Sequence, residues 1–302
     1  MAPKVAAIIV NYNGKQLTLD TLASFAKVRY PQLTLVVVDN GSTDGSHEAV
    51  QEAYPDVVAL RIEKNAWIAG GLNVGIEWAM AGDFDYLLLL NNDIDVHPRM
   101  VREMVRVAER DPKIGCVGPK CYYYEDPGRL WSAGGVIRFA ESVTRERGAR
   151  MIDYGPFDRD EEVDYINGCA MLVRREAMAA TGPWDAMFHL GVEDADFCMR
   201  MKQHGYTCWY AHQAELWHKV PVKIGRYKAG RTFETGRSNA LFVRRFASPW
   251  QWVTFATLTL AAFPIAYLRE RLRNNQAAAV AKFRGVLTGL REPLPKPPQP
   301  FG

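Results

Sequence analysis

Three short polar runs stand where chemistry can be done, and each follows an aliphatic run. The first is Asn11-Tyr12-Asn13 after Val5–Val10; the second is Asp39-Asn40-Gly41-Ser42-Thr43-Asp44 after Leu33–Val38. The third is Asn91-Asn92-Asp93-Ile94-Asp95 after Tyr86–Leu90. An Asp at the end of a buried strand, followed by Gly and small hydroxyl residues, accepts hydrogen bonds from a base or a ribose, and the glycine lets backbone come close to a ligand. The plainer alternative for that run is a strand-turn-helix with Ser42 or Asp44 as N-cap. Carboxylates and amides spaced as in 91–95 suit a hard divalent ion, Mg²⁺ or Mn²⁺, that also holds a diphosphate and neutralises it as a bond breaks.

Two further groups lie downstream. Glu193-Asp194-Ala195-Asp196-Phe197 follows Gly191 and opens a helix. Acids in a first helical turn are favoured by the macrodipole alone, but one of them is also placed to act as a general base towards an attacking hydroxyl. Glu215-Leu216-Trp217-His218 ends another predicted strand, and His218 can complete a metal site of oxygen and nitrogen ligands.

The elements that must position these residues follow from hydrophobic period. The near-continuous aliphatic runs read as parallel strands buried on both faces. Helices are predicted at Gln16–Val28, Ser46–Ala53 and Gly71–Met80, with a short strand at Val57–Ile62. Strands alternating with helices make an α/β layered sheet, in which ligands sit beyond the carboxyl ends of the strands. Beyond Asp111 the pattern is mixed: strands near Ile114–Val117 and Val136–Phe139, helices at Arg174–Ala180 and Asp194–His204. The polar section Arg145–Glu162 between them reads as an exposed or mobile loop.

Taken in order, these pieces resemble the family 2 glycosyltransferases, and among them the bacterial rhamnosyltransferases. The match runs through Ile8-Ile9-Val10-Asn11-Tyr12-Asn13, Val38-Asp39-Asn40-Gly41-Ser42-Thr43-Asp44, and Asn65 with Ala69-Gly70-Gly71-Leu72-Asn73-Val74-Gly75. It continues through Asn91-Asn92-Asp93, Asn167-Gly168-Cys169 to Arg175, Glu193-Asp194-Ala195-Asp196-Phe197 with Arg200, and His218. The resemblance implies a single α/β domain of the glycosyltransferase A-type, a Rossmann-like nucleotide-sugar-binding fold with a mixed central sheet, over residues 1–222. It implies an inverting transfer from a nucleotide sugar, dTDP-rhamnose or a UDP-sugar, to a lipid-linked or polysaccharide acceptor. Asp194 would be the base and Glu193 its supporting neighbour. Asp93 and His218 would hold Mg²⁺ or Mn²⁺, with Asp95 an additional ligand. Asp39 would contact the nucleoside, and Asn11, Asn13, Asn65, Asn73, Asn91 and Asn92 would line the donor site. The sequence departs from the family's Asp-x-Asp motif at Asn91.

Composition fits an ordinary globular body and adds a second feature. The 302 residues are 48% hydrophobic and 24% charged, which excludes disordered, collagenous and disulfide-knotted proteins. Five cysteines without a CxxC pair fit reduced thiols, and the stretch after Met1-Ala2-Pro3-Lys4 is too short for a signal-peptide core, so the chemistry is expected in the cytoplasm. Net charge is +3, yet residues 223–284 alone carry twelve Lys/Arg against Glu234 and Glu270. Within that extension, Phe246–Leu268 is 23 residues without a charge, with Trp250, Trp252 and Tyr267 near its ends, Arg244-Arg245 before it and Arg269, Arg271 and Arg273 after it. Basic flanks on both sides and Pro264 inside favour a helix or hairpin lying in the inner leaflet on anionic lipid over a true span. The alternative is a helix buried on the catalytic domain or in a homodimer interface. Charges broken by an apolar stretch, rather than interleaved with stacking aromatics, argue against nucleic acid. Residues 293–302 are proline-rich and expected to be disordered.

Overall fold

A computed structural model describes residues 1–222 and 228–301. The boundary between body and extension expected at 222/223, and the charges Lys223 and Arg226, lie outside the described residues. The first part alternates as the hydrophobic runs require: β1 (Val5–Asn11), α1 (Lys15–Phe25), β2 (Leu33–Asn40), α2 (Ser46–Ala53), β3 (Val58–Ile62), α3 (Trp67–Ala81) and β4 (Tyr86–Asn91). β3, β2, β1 and β4 pair in that order and all run parallel, so the chain reverses its direction of winding between β1 and β4. Val10 lies opposite both Val38 and Asn91, which brings the ends of three strands to one edge. Helix α3 starts four residues earlier than the periodicity suggests. It lies close on the sheet because Gly71 and Gly75, one turn apart, have no side chain: a Cβ on Gly75 would sit 2.3 Å from Ile8 Cγ2.

The remaining strands extend the sheet past β4. They are β5 (Ile94–Val96), β6 (Ile114–Tyr123), β7 (Asp126–Ser132), β10 (Glu161–Val163), β11 (Ala170–Arg174) and β12 (Thr207–His218), with α4 (Met100–Ala108), α5 (Arg175–Thr181) and α6 (Glu193–Gln203) between them. β11 is inserted antiparallel between β4 and β6, while β12 is parallel to β6. The start of β11 and the end of β12 therefore reach the same edge as Asn91. Two apolar layers, one around Ile8, Leu89 and Trp184 and one around Ile9, Leu88 and Met104, bury this mixed sheet on both sides.

The section 145–162 is irregular and largely exposed between residues 147 and 160, as expected of a loop, but its two ends are strands and it is tethered to the body. β8 (Gly135–Ile137) and β9 (Thr144–Glu146) form a separate hairpin, and buried Lys120 holds Asp153 at 2.8 Å and Asp158 at 2.5 Å. A buried ammonium needs its counter-charges, and that requirement pins the segment to the body.

Three helices follow: α7 (Ala229–Phe246), α8 (Pro249–Leu272) and α9 (Gln276–Arg291). The uncharged stretch is divided between two of them. Phe246 closes α7, and Ser248 opens α8 through a reciprocal capping box with Gln251. α7 and α9 pack with their backbones in contact: a Cβ on Gly285 would lie 2.0 Å from Phe233 O, and one on Gly289 2.4 Å from Arg237 O. Glycines four apart on a helix allow this approach. Arg244 donates to Gly289 O (2.8 Å) and Glu292 O (2.6 Å), and Arg245 is bonded to Asp185 and Asp196. The basic flank read before the apolar stretch is thus spent inside the protein. α8 itself is long and apolar enough to cross a bilayer, and only Phe255 and Glu270 are buried on it; Trp250, Leu260 and Ile265 are 80%, 63% and 70% exposed. Most of this stretch is not buried against the body, the first of the two alternatives; Phe246, Ala247, Trp252 and Phe255 near its start are packed on the core. The tail carries neither helix nor strand at 293–301, yet it is laid against the body, with Phe301 N–H donating to Ala179 O (3.0 Å).

Candidate active site

A cavity of about 720 Å³ opens at the strand-end edge. Its acidic wall is the first turn of α6. Gly191, at φ +115, turns the chain into that helix, and its N–H donates to Glu193 Oε2. Asp194 Oδ2 accepts from Gly168 N at 2.9 Å, which ties the helix start to the entry of β11. Burial pushes the Asp194 carboxyl well above its usual range, and the neighbouring Glu193 and Glu146 carboxylates push it further. Burial also raises Glu193, partly offset by backbone N–H groups and by Arg231. A carboxyl lifted in this way holds and accepts a proton at higher pH than an ordinary carboxylate, as a general base requires.

The same cavity is lined by His218, the last residue of β12. Its Nε2 is 3.1 Å from Asp93 Oδ1, while its Nδ1 is buried without a hydrogen-bond partner among the described residues. Trp131 meets the imidazole edge-on at 4.5 Å, and Lys219 N donates to Asp93 O. Burial raises the Asp93 carboxyl, but the His218 bond and charge outweigh it and hold the group below the usual range. One carboxylate oxygen and one imidazole nitrogen converging from two strand ends form a donor set that fits Mn²⁺ or Mg²⁺.

The structure brings Asn91, Glu193, Asp194 and His218 to the cavity, with Asp93 joined through His218. Asp95 is not on its wall. The other predicted residues do not line it, and their side chains are fixed by hydrogen bonds. Asn11 Nδ2 donates to Asp39 Oδ1 (3.2 Å) and Ser46 Oγ (2.7 Å), and Asn92 Nδ2 donates to Asn11 Oδ1 (2.9 Å). Asp39 is also 3.4 Å from Arg61 Nε and is buried. Asn13, at φ +50, accepts from Thr43 N. Asn65 Oδ1 accepts from Trp67 N and Asn40 Nδ2 donates to Trp67 O, together fixing Trp67 at φ +60. Asn73 grips the Trp184 backbone at both ends, donating to its O (2.8 Å) and accepting from its N (2.9 Å), and so sets a wall of the cavity.

Several lining residues escaped the sequence reading: Glu146 on β9, Trp131 on β7, and Lys228, Arg231 and Thr235 at the start of α7. Glu146 lies in a polar stretch that reads as loop. The α7 residues lie in a segment whose charge suggests lipid. No local signal marks either group as part of the site.

Comparison with known proteins agrees with this architecture. The model of a family described as Glycosyltransferase like family 2 matches residues 3–240, a span that includes the start of α7. The N-acetylglucosaminyl-diphospho-decaprenol L-rhamnosyltransferase of Mycobacterium tuberculosis is 26% identical over 306 residues, 91% of this chain and 96% of that protein. The poly-β-1,6-N-acetyl-D-glucosamine synthase of Staphylococcus aureus is 23% identical over 87% of this chain and 60% of its own. Among solved structures, GalNAc-T7 with UDP, GalNAc and Mn²⁺ shares the fold at TM-score 0.67 and 15% identity, over 82% of this chain and 49% of that one. A mannosyltransferase from Pyrobaculum calidifontis with GDP-Man and Mn²⁺ matches at TM-score 0.58 and 18% identity, over 96% and 88%. With the family model matched over most of the chain, and an acidic helix start sharing one cavity with a carboxylate–histidine pair, the chain belongs to the family 2 glycosyltransferases.

Proposed function

We propose that this enzyme transfers L-rhamnose from dTDP-rhamnose, with inversion, to a hydroxyl of an N-acetylglucosaminyl-diphospho-lipid at the cytoplasmic face of the membrane. The observation that carries the transfer chemistry is the raised, buried Asp194 carboxyl sharing one cavity with the Asp93–His218 pair. The sugar and the acceptor are supported by the mycobacterial relative, which spans nearly the whole chain. Asp194 takes the proton of the acceptor hydroxyl, whose oxygen attacks the anomeric carbon opposite the nucleoside diphosphate. Configuration inverts in that displacement, and no covalent nucleophile is needed. The Gly168 N–H holds Asp194 in place, and Glu193 fixes the turn before it by accepting from the Gly191 N–H. A divalent ion, held by Asp93 and His218, would supply Lewis-acid neutralisation of the departing diphosphate.

The catalytic unit in this reading includes α7, whose Lys228, Arg231 and Thr235 line the cavity, although its charges belong by sequence to the extension. The exposed apolar face of α8 and the arginines at its end, Arg269, Arg271 and Arg273, lie on the anionic inner leaflet beside a lipid-linked acceptor. The second reading, a different transferred sugar such as N-acetylglucosamine from a UDP donor, is favoured by the staphylococcal relatives.

Purified protein should be offered dTDP-rhamnose, UDP-glucose, UDP-galactose, UDP-N-acetylglucosamine and GDP-mannose with Mg²⁺ or Mn²⁺, beside Asp194→Asn. Turnover of dTDP-rhamnose, reduced about 10²–10⁴-fold in the variant, is expected. Turnover of another donor alone keeps the chemistry and removes the rhamnosyl assignment.

A further inference from the structure

We infer that Glu146 is a substrate-binding carboxylate of the cavity, accepting a hydrogen bond from a hydroxyl of the acceptor sugar other than the one that attacks. The inference rests on the acceptor reading above. Glu146 ends β9 and faces the cavity. Three donors from separate segments hold it: Tyr165 OH to Oε1 at 2.6 Å, and Asn167 Nδ2 (3.3 Å) and Ser132 Oγ to Oε2. A carboxylate offers about four acceptor positions, so one remains, and the cavity is where it can be filled.

Its position is built, not incidental. Tyr165 reaches Glu146 by lying flat over Gly135, where a Cβ would come within 2.0 Å of the ring. Asn167 is itself fixed by donating to Ser132 Oγ at 2.9 Å. The next residue, Gly168, donates its N–H to Asp194. Two carboxylates are thus set by consecutive residues of one turn, Asn167 for Glu146 and Gly168 for Asp194, which places Glu146 beside Asp194, within reach of the His218 charge as well. Holding a second carboxylate in a desolvated pocket beside the base is unfavourable for the fold. A sugar hydroxyl is the neutral donor that such a group recognises with geometric selectivity, and a site built around a hydroxyl rejects analogues that lack it.

The test is Glu146→Gln, which keeps shape and removes charge, assayed with dTDP-rhamnose, Mn²⁺ and a short-chain N-acetylglucosaminyl-diphospho-lipid. Acceptor KM should rise about 10–100-fold, the loss expected for a hydrogen bond to a charged group. The donor Kd, measured by calorimetry, should stay within about twofold. Tyr165→Phe, which removes one support of Glu146, should raise acceptor KM by a smaller factor, and it serves as the variant if the Gln protein does not fold. An unchanged acceptor KM, or a donor Kd that weakens in parallel, overturns the assignment. Wild-type protein that turns over no donor removes the acceptor reading itself, and this role with it.

Discussion

Arg245 Nη1 lies 2.6 Å from Asp196 Oδ1, so a helix of the basic extension reaches into the first turn of the helix that carries Asp194, the proposed base. The same guanidinium meets Asp185 Oδ2 at 2.8 Å, and Asp196 is also bonded by Arg200 from within α6. All four side chains are nearly solvent-free. Removing one partner of a buried ion pair leaves the others charged and desolvated, which costs about 3–5 kcal/mol. Arg245→Ala should therefore lower the urea midpoint markedly and cut turnover by more than about tenfold, because Asp194 shares the turn. A midpoint within error of wild type would show that α7 does not hold α6.

Asp194 makes a prediction about pH with a definite sign. Its folded-state pKa is raised above the ordinary 3.8 by burial and by neighbouring carboxylates. Between that ordinary value and the raised one, the folded state binds the proton more tightly than the unfolded state. Stability contributed by the protonated group is full below about pH 4 and is lost as pH rises through the folded pKa. Asp194→Asn should flatten the decline of unfolding free energy with rising pH, while wild-type kcat/KM rises with pH along an acidic limb above the usual carboxylate range. Parallel stability profiles for the two proteins would contradict the assignment.

The Asp93–His218 pair predicts metal dependence. His218→Ala and Asp93→Asn should each lose about 100-fold or more of Mn²⁺- or Mg²⁺-stimulated turnover, as expected of several kcal/mol of lost charge stabilisation. Chelation should bring the wild type to the same level. Calorimetric donor titrations with and without Mn²⁺ should differ for wild type and coincide for His218→Ala.

The exposed face of α8 predicts binding to vesicles. Trp250 emission should shift to the blue with vesicles containing anionic phospholipid, and less so with neutral ones, by about 1 kcal/mol per arginine near the surface. Replacing both Leu260 and Ile265 by Asp removes two apolar groups of about 1.5–3 kcal/mol each and should cut partitioning by 100-fold or more. Thermal stability should hardly move, since both side chains are exposed. Equal partitioning of the variant would contradict contact through this face.

What could be read directly from the sequence was whatever is local in the chain. Aliphatic runs ending at Asn11, Asn40 and Asn91 specify buried parallel strands, because period and β-propensity act over neighbouring residues. The polar residues after those strands, the acids opening α6 and the histidine ending β12 could be named for the same reason. Tertiary structure decided which of them share a cavity. β11 enters antiparallel beside β4 and delivers Gly168 to Asp194, and β12 carries His218 to Asp93 across 125 residues of chain. No local pattern encodes such pairings, since they depend on strand order and not on spacing. The same holds for the residues misplaced from sequence. Glu146 stands in a polar stretch without period, and only its three distant donors make it part of a site. Arg244 and Arg245 look like lipid-facing charge until α9 and α6 pack against them. Charge is fixed by residue type, but whether it meets lipid, water or a buried carboxylate is settled only when the helices pack.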